Sequence, residues 1–547
     1  RVGAFTTVTG LKYSSPAVYG HGRSMHFQFS HLLGALLAEA RWVGGDRLMF
    51  AFTPIIGAVS IVVFYALACR FVRPTLALVA TVALAVNVVQ LHFSRDAYSE
   101  VVVQLVLLGS LWVLGLSPLD RSRAIFAGVL LGTTVAARID GPLYVAVIPV
   151  LVGIVAERRE SHAGAYDDDL RPDTVTRFAF ATSAVAVLGL VDVWLRAPEY
   201  ASLVGARVIE EYAGLVVVSI VAVVAGRRVA HWHPRFADSR RLPTIAGGAF
   251  ATLLFVLWFV RPHLQHISGK PIALVANIQA AHGLPIDSGL RYFQNAMQWQ
   301  AWYIGPPALA AGILGIGVLI RETIRKGSML TWTLVVCFVV VATVYVWNAN
   351  ITPDQLWVMR RYLPIVIPGF VLFAAVLIER AIWRYAGLAL LPAAVLAVLL
   401  VAWPVSATVP VRDETTQPGM LGAVTSTCRA LGPRAAVVVL NRGSPLYRQI
   451  PQVLRGYCNV PVATRTDDFD DTQFAALARR WRTEGRVLKV FATNTGRITQ
   501  IFPGVHQRVV ATPSNDSLLD QTLDRPPRHY ISRLDSFVIA TVPVGSP

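Results

Sequence analysis

From about residue 48 to Pro404 the chain repeats one unit, an apolar run of roughly 17 to 22 residues followed by a short charged loop. A helix needs about 20 such residues to cross about 30 Å of hydrocarbon. The repeat therefore confines this part of the chain to a bundle of membrane-crossing helices. Composition agrees. Only 15% of the 547 residues are charged and 54% are hydrophobic, against about 25% charged in a soluble domain. The expected spans lie at roughly 48–69, 75–91, 100–116, 123–137, 143–156, 178–195, 213–226, 243–260, 303–320, 329–347, 363–379 and 386–403.

The loops between these runs alternate in chemistry. One set holds "CRFVR", "DRSR", "ERRE…RPDTVTR", "GRRVAHWHPRFADSRR", "RETIRK" and "ERAIWR". The other holds "HFSRDAYSE", "RIDGP", "RAPEYASLVGARVIEEY", the stretch from Arg261 to Trp302, and "NANITPDQLWVMRRY". The first set is about twice as rich in Lys and Arg, which makes it cytoplasmic by the positive-inside rule. Residues 1–47 and the tail then lie outside. The net charge of +17 is spread along the flanks of the apolar runs, where membrane orientation accounts for it, and nucleic acid is not an expected partner.

The chain begins at Arg1, outside, with no span to carry it there, so a missing upstream helix is expected, for thirteen in all. Residues 27–44 read as an amphipathic helix on the outer surface, because Glu39 and Arg41 are costly in hydrocarbon. Three segments follow: 1–47, an outward loop with a surface helix; 48–404, a transmembrane bundle of about twelve spans; and 405–547, an extracytoplasmic domain. That tail alternates helix-like and strand-like stretches, for example "GMLGAVTSTCRALG" then "AAVVVL", which is a βαβ rhythm closed by an antiparallel pair. No Gly-rich loop opens its helices, so it is not expected to bind nucleotide. Cys69 and Cys337 fall in spans. Cys428 and Cys458 fall together in the outward domain, where an oxidising compartment lets them pair. The fold class is thus a polytopic α-helical membrane protein with a C-terminal soluble α/β domain.

Four outward stretches concentrate polar groups. In "HFSRDAYSE", a third span beginning near Asp96 would set Asp96 and Glu100 four apart on one helical face. The stretch reads either as a polar cap between two helices or as part of a site, since carboxylates at membrane depth are expensive. Asp96 and Glu100 are also an oxygen pair for a divalent metal. In "NANITPDQLWVMRRYLPIVIPG", Arg360 and Arg361 stand against the positive-inside rule. They suit a phosphate ester through bidentate hydrogen bonds, or pair with lipid headgroups or Asp354. In "AARIDGPLY", Arg138 and Asp140 mark a salt-bridged turn. The stretch from Arg261 to Trp302, with Lys270, His282, Asp287 and Arg291, is long enough to fold over the outer surface. Its "QWQAWY" aromatics suit either an interface belt or a sugar-stacking wall. No HExxH, P-loop or CxxC is present, and nothing resembles the duplicated, broken spans of a secondary transporter.

With these motifs in place the chain resembles the GT-C glycosyltransferases, and within them the protein mannosyltransferases and lipid A aminoarabinose transferases of the glycosyltransferase family 39 type. "HLLGALLAEARWVGGDRLMFAFTPIIGAVSIVVFYALACRFV" resembles the surface helix leading into the second span. "HFSRDAYSE" resembles the second outward loop, and "MRRYLPIVIPG" the Arg-Tyr-Leu-Pro opening of a late span. The resemblance implies transfer of a sugar from a polyprenyl-phosphate donor to a hydroxyl of a glycan, lipid or protein acceptor, outside the plasma membrane, with inversion. It carries Arg95, Asp96, Arg361 and Tyr362 into the site, beside Arg138, Lys270 and Arg360. It also implies that the main catalytic acid lies upstream of Arg1, with Asp96 and Glu100 the candidates inside the chain and a divalent metal a possible cofactor. Arg95 and Arg361 are then expected to grip one lipid-borne anion together. A flippase of lipid-linked sugars and a non-catalytic envelope scaffold are the alternatives.

Overall fold

The computed structural model describes residues 18–21, 24–160, 170–202, 241–385, 387–415, 417–440, 449–464, 471–513, 518–531 and 534–542, with isolated positions between 210 and 224. The expected span at 213–226 falls among those isolated positions. Residues 1–17 and 225–240 lie outside the described set.

A hairpin, β1 (Val18–His21) and β2 (Ser24–Phe27), precedes α1 (Leu32–Ala68). Helix α1 breaks at Gly44 and Gly45, and Gly45 takes a φ of 65°, which side chains disfavour. The break separates the stretch read as a surface helix from the stretch read as the first span. Then come α2 (Pro74–Ala85), α3 (Val88–Arg95), α4 (Ser99–Leu114), α5 (Arg121–Ala137), α6 (Pro142–Val145), α7 (Val147–Glu160) and α8 (Pro172–Arg196). The second half of the bundle holds α9 (Leu242–Phe259), α10 (Arg261–Leu264), α11 (Ala273–Ala281), α12 (Ala296–Ile304), α13 (Pro306–Lys326), α14 (Met329–Trp347), α15 (Val366–Tyr385) and α16 (Gly387–Thr408).

Local chemistry sets many of these boundaries. Proline opens α2, α8 and α13, where its missing N–H costs nothing. Asn87 accepts a hydrogen bond from the Val89 N–H and starts α3, so the expected single span at 75–91 is two helices bent by 60°. Asp120 caps α5 through the Arg123 N–H in the same way.

Among the described residues, seven helices are long and apolar enough to cross a membrane, or eight if the bent pair counts as one span. Helix α4 and the segment Pro142–Val155 are apolar but shorter. The chain is a multi-pass membrane protein. Close packing relies on small residues: a Cβ at Gly132 of α5 would stand 2.6 Å from the Thr182 carbonyl oxygen of α8. On its other side α8 leaves Phe180, Leu188, Trp194 and Leu195 exposed, as a helix turned toward hydrocarbon does.

The tail holds α17 (Met420–Leu431), β3 (Ala435–Val439), α18 (Ile450–Cys458), β4 (Val462–Thr464), α19 (Asp471–Thr483), β5 (Val487–Ala492), α20 (Thr495–Ile501), β6 (Gln507–Ala511), β7 (Leu518–Leu519), β8 (Tyr530–Ile531) and β9 (Phe537–Thr541). Its five-stranded sheet runs β4-β3-β5-β9-β6, with β3 parallel to both β4 and β5 and with β9 antiparallel to β5 and β6. The fully buried β3, "AAVVV", is the run that helices covering both faces require. The expected final pair is divided: β9 joins the main sheet, while β8 pairs with β7 in a separate ribbon. Cys428 on α17 and Cys458 on α18 are joined in a disulfide, with Cα atoms 5.0 Å apart.

Candidate functional site

Three of the loops read as outward meet at one end of the bundle. The α3–α4 loop brings Tyr98, Ser99 and Glu100. The turn between α5 and α6 brings Arg138 and Asp140. The 3-10 turn Trp357–Arg361, before α15, brings Arg360 and Arg361. Arg138 donates to both oxygens of Asp140, at 2.7 and 2.9 Å, and also to Glu100. Arg360 donates to the same Glu100 oxygen, leaving the other one buried without a partner, and Arg361 donates to Asp140 at 2.9 Å. Tyr345, on α14, donates its hydroxyl to the same Asp140 oxygen. Trp357 lies under the Arg360 guanidinium, 4.2 Å from ring centroid to carbon, which holds the planar group in place.

The arrangement sets three guanidinium groups against two carboxylates in a buried place. Side-chain exposure is 7% for Arg138, none for Glu100 and 11% for Asp140. Burial alone would raise the Asp140 carboxyl, but Arg138 and Arg361 beside it hold it well below the usual carboxylate range. The cluster therefore keeps an excess of one positive charge, and the Nε of Arg361 is buried without a partner.

Arg138, Arg360 and Arg361 form one wall of a cavity of about 1140 Å³. The first stretch of α1 supplies another wall through Leu33, Gly34, Leu37 and Ala38. The end of α8 and the residues after it supply Leu195, Arg196 and Tyr200. The space is thus largely apolar, with three guanidinium groups clustered in one wall and His31 and Arg196 elsewhere in the lining. Such a shape suits an anion carried on a hydrocarbon chain.

Not every expected residue arrives here. Arg95 ends α3 and donates to the carbonyls of Arg412 and Glu414, both at 3.1 Å, so it ties the bundle to the start of the tail and does not join Arg361. Asp96 and Glu100 do not share a helical face, because α4 begins at Ser99 and Asp96 is extended, accepting from the Ala97 N–H. Glu100 is engaged by two arginines, which leaves no carboxylate pair for a metal. Among the described residues no three His, Cys, Asp or Glu side chains converge on a metal-sized site. Lys270 is exposed on the 261–302 stretch, away from the cavity. Tyr362 is fully buried and donates to the Tyr345 carbonyl at 2.8 Å, so its phenol is spent inside the bundle. Asp354 is not the partner of either arginine: it turns toward Gln521 of the tail, at 3.5 Å. Of the "QWQAWY" aromatics, Trp299 and Tyr303 are buried in the core and so join neither a belt nor a sugar wall, while Trp302 is half-buried.

Tyr98, Tyr345 and Trp357 belong to the cluster and were not singled out from sequence. An aromatic residue beside an outward arginine is the signal that could have marked Trp357.

No family model matches the chain, and no curated protein matches its sequence. Among solved structures it is similar to the archaeal oligosaccharyltransferase AglB from Archaeoglobus fulgidus in complex with an inhibitory peptide and a dolichol-phosphate. The TM-score is 0.46 at 12% identity, over 88% of this chain and 63% of that one. It is also similar to ArnT from Cupriavidus metallidurans bound to undecaprenyl phosphate, with a TM-score of 0.37 at 11% identity, over 100% of this chain and 97% of that one. This chain thus spans just under two thirds of the archaeal protein.

Proposed function

We propose that the chain is a membrane glycosyltransferase that takes a sugar from a polyprenyl-phosphate donor and passes it to an acceptor hydroxyl on the extracytoplasmic face of the plasma membrane. One observation carries the reading: Arg138, Arg360 and Arg361 cluster in one wall of a cavity that is otherwise mainly apolar and is also lined by the end of α8, a helix with exposed apolar side chains. A phosphate joining a sugar to a prenyl chain is a diester with a single negative charge. Three guanidinium groups balanced by two carboxylates leave one positive charge to meet it. When the bond to the anomeric carbon breaks, charge gathers on the departing phosphate. Its second pKa is near 6, so it needs no proton, and fixed cations are the stabilisation it does need. Attack from the face opposite the phosphate inverts the anomeric centre.

The test uses the full chain in lipid nanodiscs. Arg361→Ala is expected to weaken binding of undecaprenyl phosphate about 10- to 100-fold, the factor for a lost hydrogen bond between charged groups, and to abolish sugar transfer with membrane insertion intact. Arg95→Ala is expected to leave that binding unchanged. Full transfer by Arg361→Ala would remove the arginine wall from the site. Movement of a lipid-linked sugar across the membrane without transfer would replace the enzyme by a flippase.

A further inference from the structure

A second cavity, of about 540 Å³, lies at the other end of the bundle. Helix α14 connects the two places: it starts at Met329 beside this cavity and carries Tyr345, near its far end, into the arginine cluster. Its 19 residues reach about 28 Å at 1.5 Å each, close to the thickness of the hydrocarbon layer. The second cavity thus sits at the membrane face opposite the arginine wall. Its lining is cationic. Arg70 follows α1, Arg325 and Lys326 end α13, and Arg380 comes from α15. They belong to "CRFVR", "RETIRK" and "ERAIWR", three loops of the set rich in Lys and Arg. Glu322 is the carboxylate of the lining, and Arg380 already donates to both of its oxygens, each at 3.0 Å. The charges of Arg70, Arg325 and Lys326 are left uncompensated within the lining.

Further donors lie deeper. Ser328 opens α14 and accepts the Thr331 N–H at 3.3 Å, while the N–H groups of Met329 and Leu330 have no acceptor within the helix. That end of a helix favours an anion. Independently, Thr323 lines the cavity at 1% exposure, and its hydroxyl has no hydrogen-bond partner. A threonine inside a helix can return its hydroxyl to the carbonyl four residues back, as Thr333 does to Met329 at 2.8 Å. Thr323 makes no such bond. The indole N–H of Trp332 is likewise buried without a partner, and it lies against Gly327 of the same lining. Buried polar groups are nearly always paired, so these two mark a place that a ligand completes.

We propose that this cavity binds the phosphate of an anionic membrane lipid, at the face opposite the arginine wall. An ionised phosphodiester offers only acceptors, which matches guanidinium, ammonium, hydroxyl and amide donors. Position points to a lipid as the source. The cavity lies one hydrocarbon thickness from the arginine wall, at the depth of the other layer of headgroups. Helix α13, which lines it, also leaves Leu314 and Ile324 exposed, so the acyl chains of a lipid held here would run along apolar side chains. The site takes no part in sugar transfer, and the two readings stand or fall separately.

The full chain in detergent is titrated with phosphatidylglycerol, phosphatidylcholine or inorganic phosphate, and bound molecules are counted by native mass spectrometry. The parent is expected to retain phosphatidylglycerol in preference to phosphatidylcholine. Arg325→Gln combined with Lys326→Gln is expected to weaken that binding about 10- to 100-fold, the factor for lost hydrogen bonds between charged groups. Thr323→Val, which keeps the shape and removes the hydroxyl, is expected to weaken it about 2- to 10-fold. A general attraction of acidic lipid to a basic rim would not register that change. Arg361→Ala, in the other cavity, is expected to leave it unchanged. Equal retention of the two lipids, or parental affinity in the Thr323 and Arg325 variants, overturns the proposal. Loss of the lipid in Arg361→Ala would put it in the first cavity and also overturns it. Tighter binding of inorganic phosphate than of phosphatidylglycerol overturns the lipid assignment. If the variants do not fold, the parent decides: a thermal midpoint that phosphatidylglycerol raises no more than phosphatidylcholine does overturns the proposal.

Discussion

Asp140 joins Arg138, Arg361 and Tyr345 through its two oxygens. Asp140→Asn would leave two buried guanidinium groups facing an amide, and losing one partner of a buried ion pair costs about 3–5 kcal/mol. A lower thermal midpoint in detergent is the expected outcome. Folding depresses this carboxyl, so its contribution is complete above the unfolded value, about 3.9, and is lost as pH falls toward the folded one. The gap in midpoint between parent and Asp140→Asn should therefore be equal at pH 8 and pH 5, and should narrow only below about pH 4. Arg360 and Arg361 were legible in the sequence because they oppose the charge pattern of the other loops, and Arg138 because it stands beside Asp140 in a turn. Glu100 was legible as a charge at the rim, but its two arginine partners were not. They lie 38 and 260 positions away in the chain, and only the fold brings them together. Arg95 misled for a related reason: its short loop is shared between the site and the tail, and spacing alone does not say which way a side chain turns.

At the scale of helices, the apolar runs marked where elements form but not how they are divided. Asn87 is one polar residue in a long apolar stretch, too little to interrupt a hydropathy window, yet its side chain caps a new helix and bends the path by 60°. Glycine separates sites of contact from sites of none. At Gly132 an added Cβ would meet the backbone of α8, whereas at Gly248 it would meet nothing within 4 Å. Gly132→Val is expected to destabilise the protein by about 1–3 kcal/mol through overpacking. Gly248→Ala should instead stabilise it by about 0.4–1 kcal/mol, by narrowing the unfolded ensemble. Thermal unfolding of both variants beside the parent checks the pair. A larger loss in Gly248→Ala than in Gly132→Val would refute the packing described for α5 and α8.

Across the whole molecule, the tail returns to the bundle at several places. Gln355, two residues before the arginine turn, forms a β-bridge with Thr522. Leu523 is buried against Val275 and Ile278 of α11. Tyr457 of α18 donates to Asp46 at 2.7 Å, just past the Gly44–Gly45 break, and Arg41 lies over its ring. The α/β rhythm of the tail was readable from its own periodicity, but these contacts were not, because docking depends on shape across two domains. Cys428 and Cys458 should resist a maleimide until reduced, and labelling of both in unreduced protein would reject the bridge. The neighbouring Tyr457 gives that bridge a reach beyond its own helix. The part of α1 that lines the cavity, Leu33 to Ala38, is joined to the rest of the helix through the Gly44–Gly45 break. Arg41 before the break and Asp46 after it both touch Tyr457, so the disulfide-braced helix α18 splints the weak point of α1.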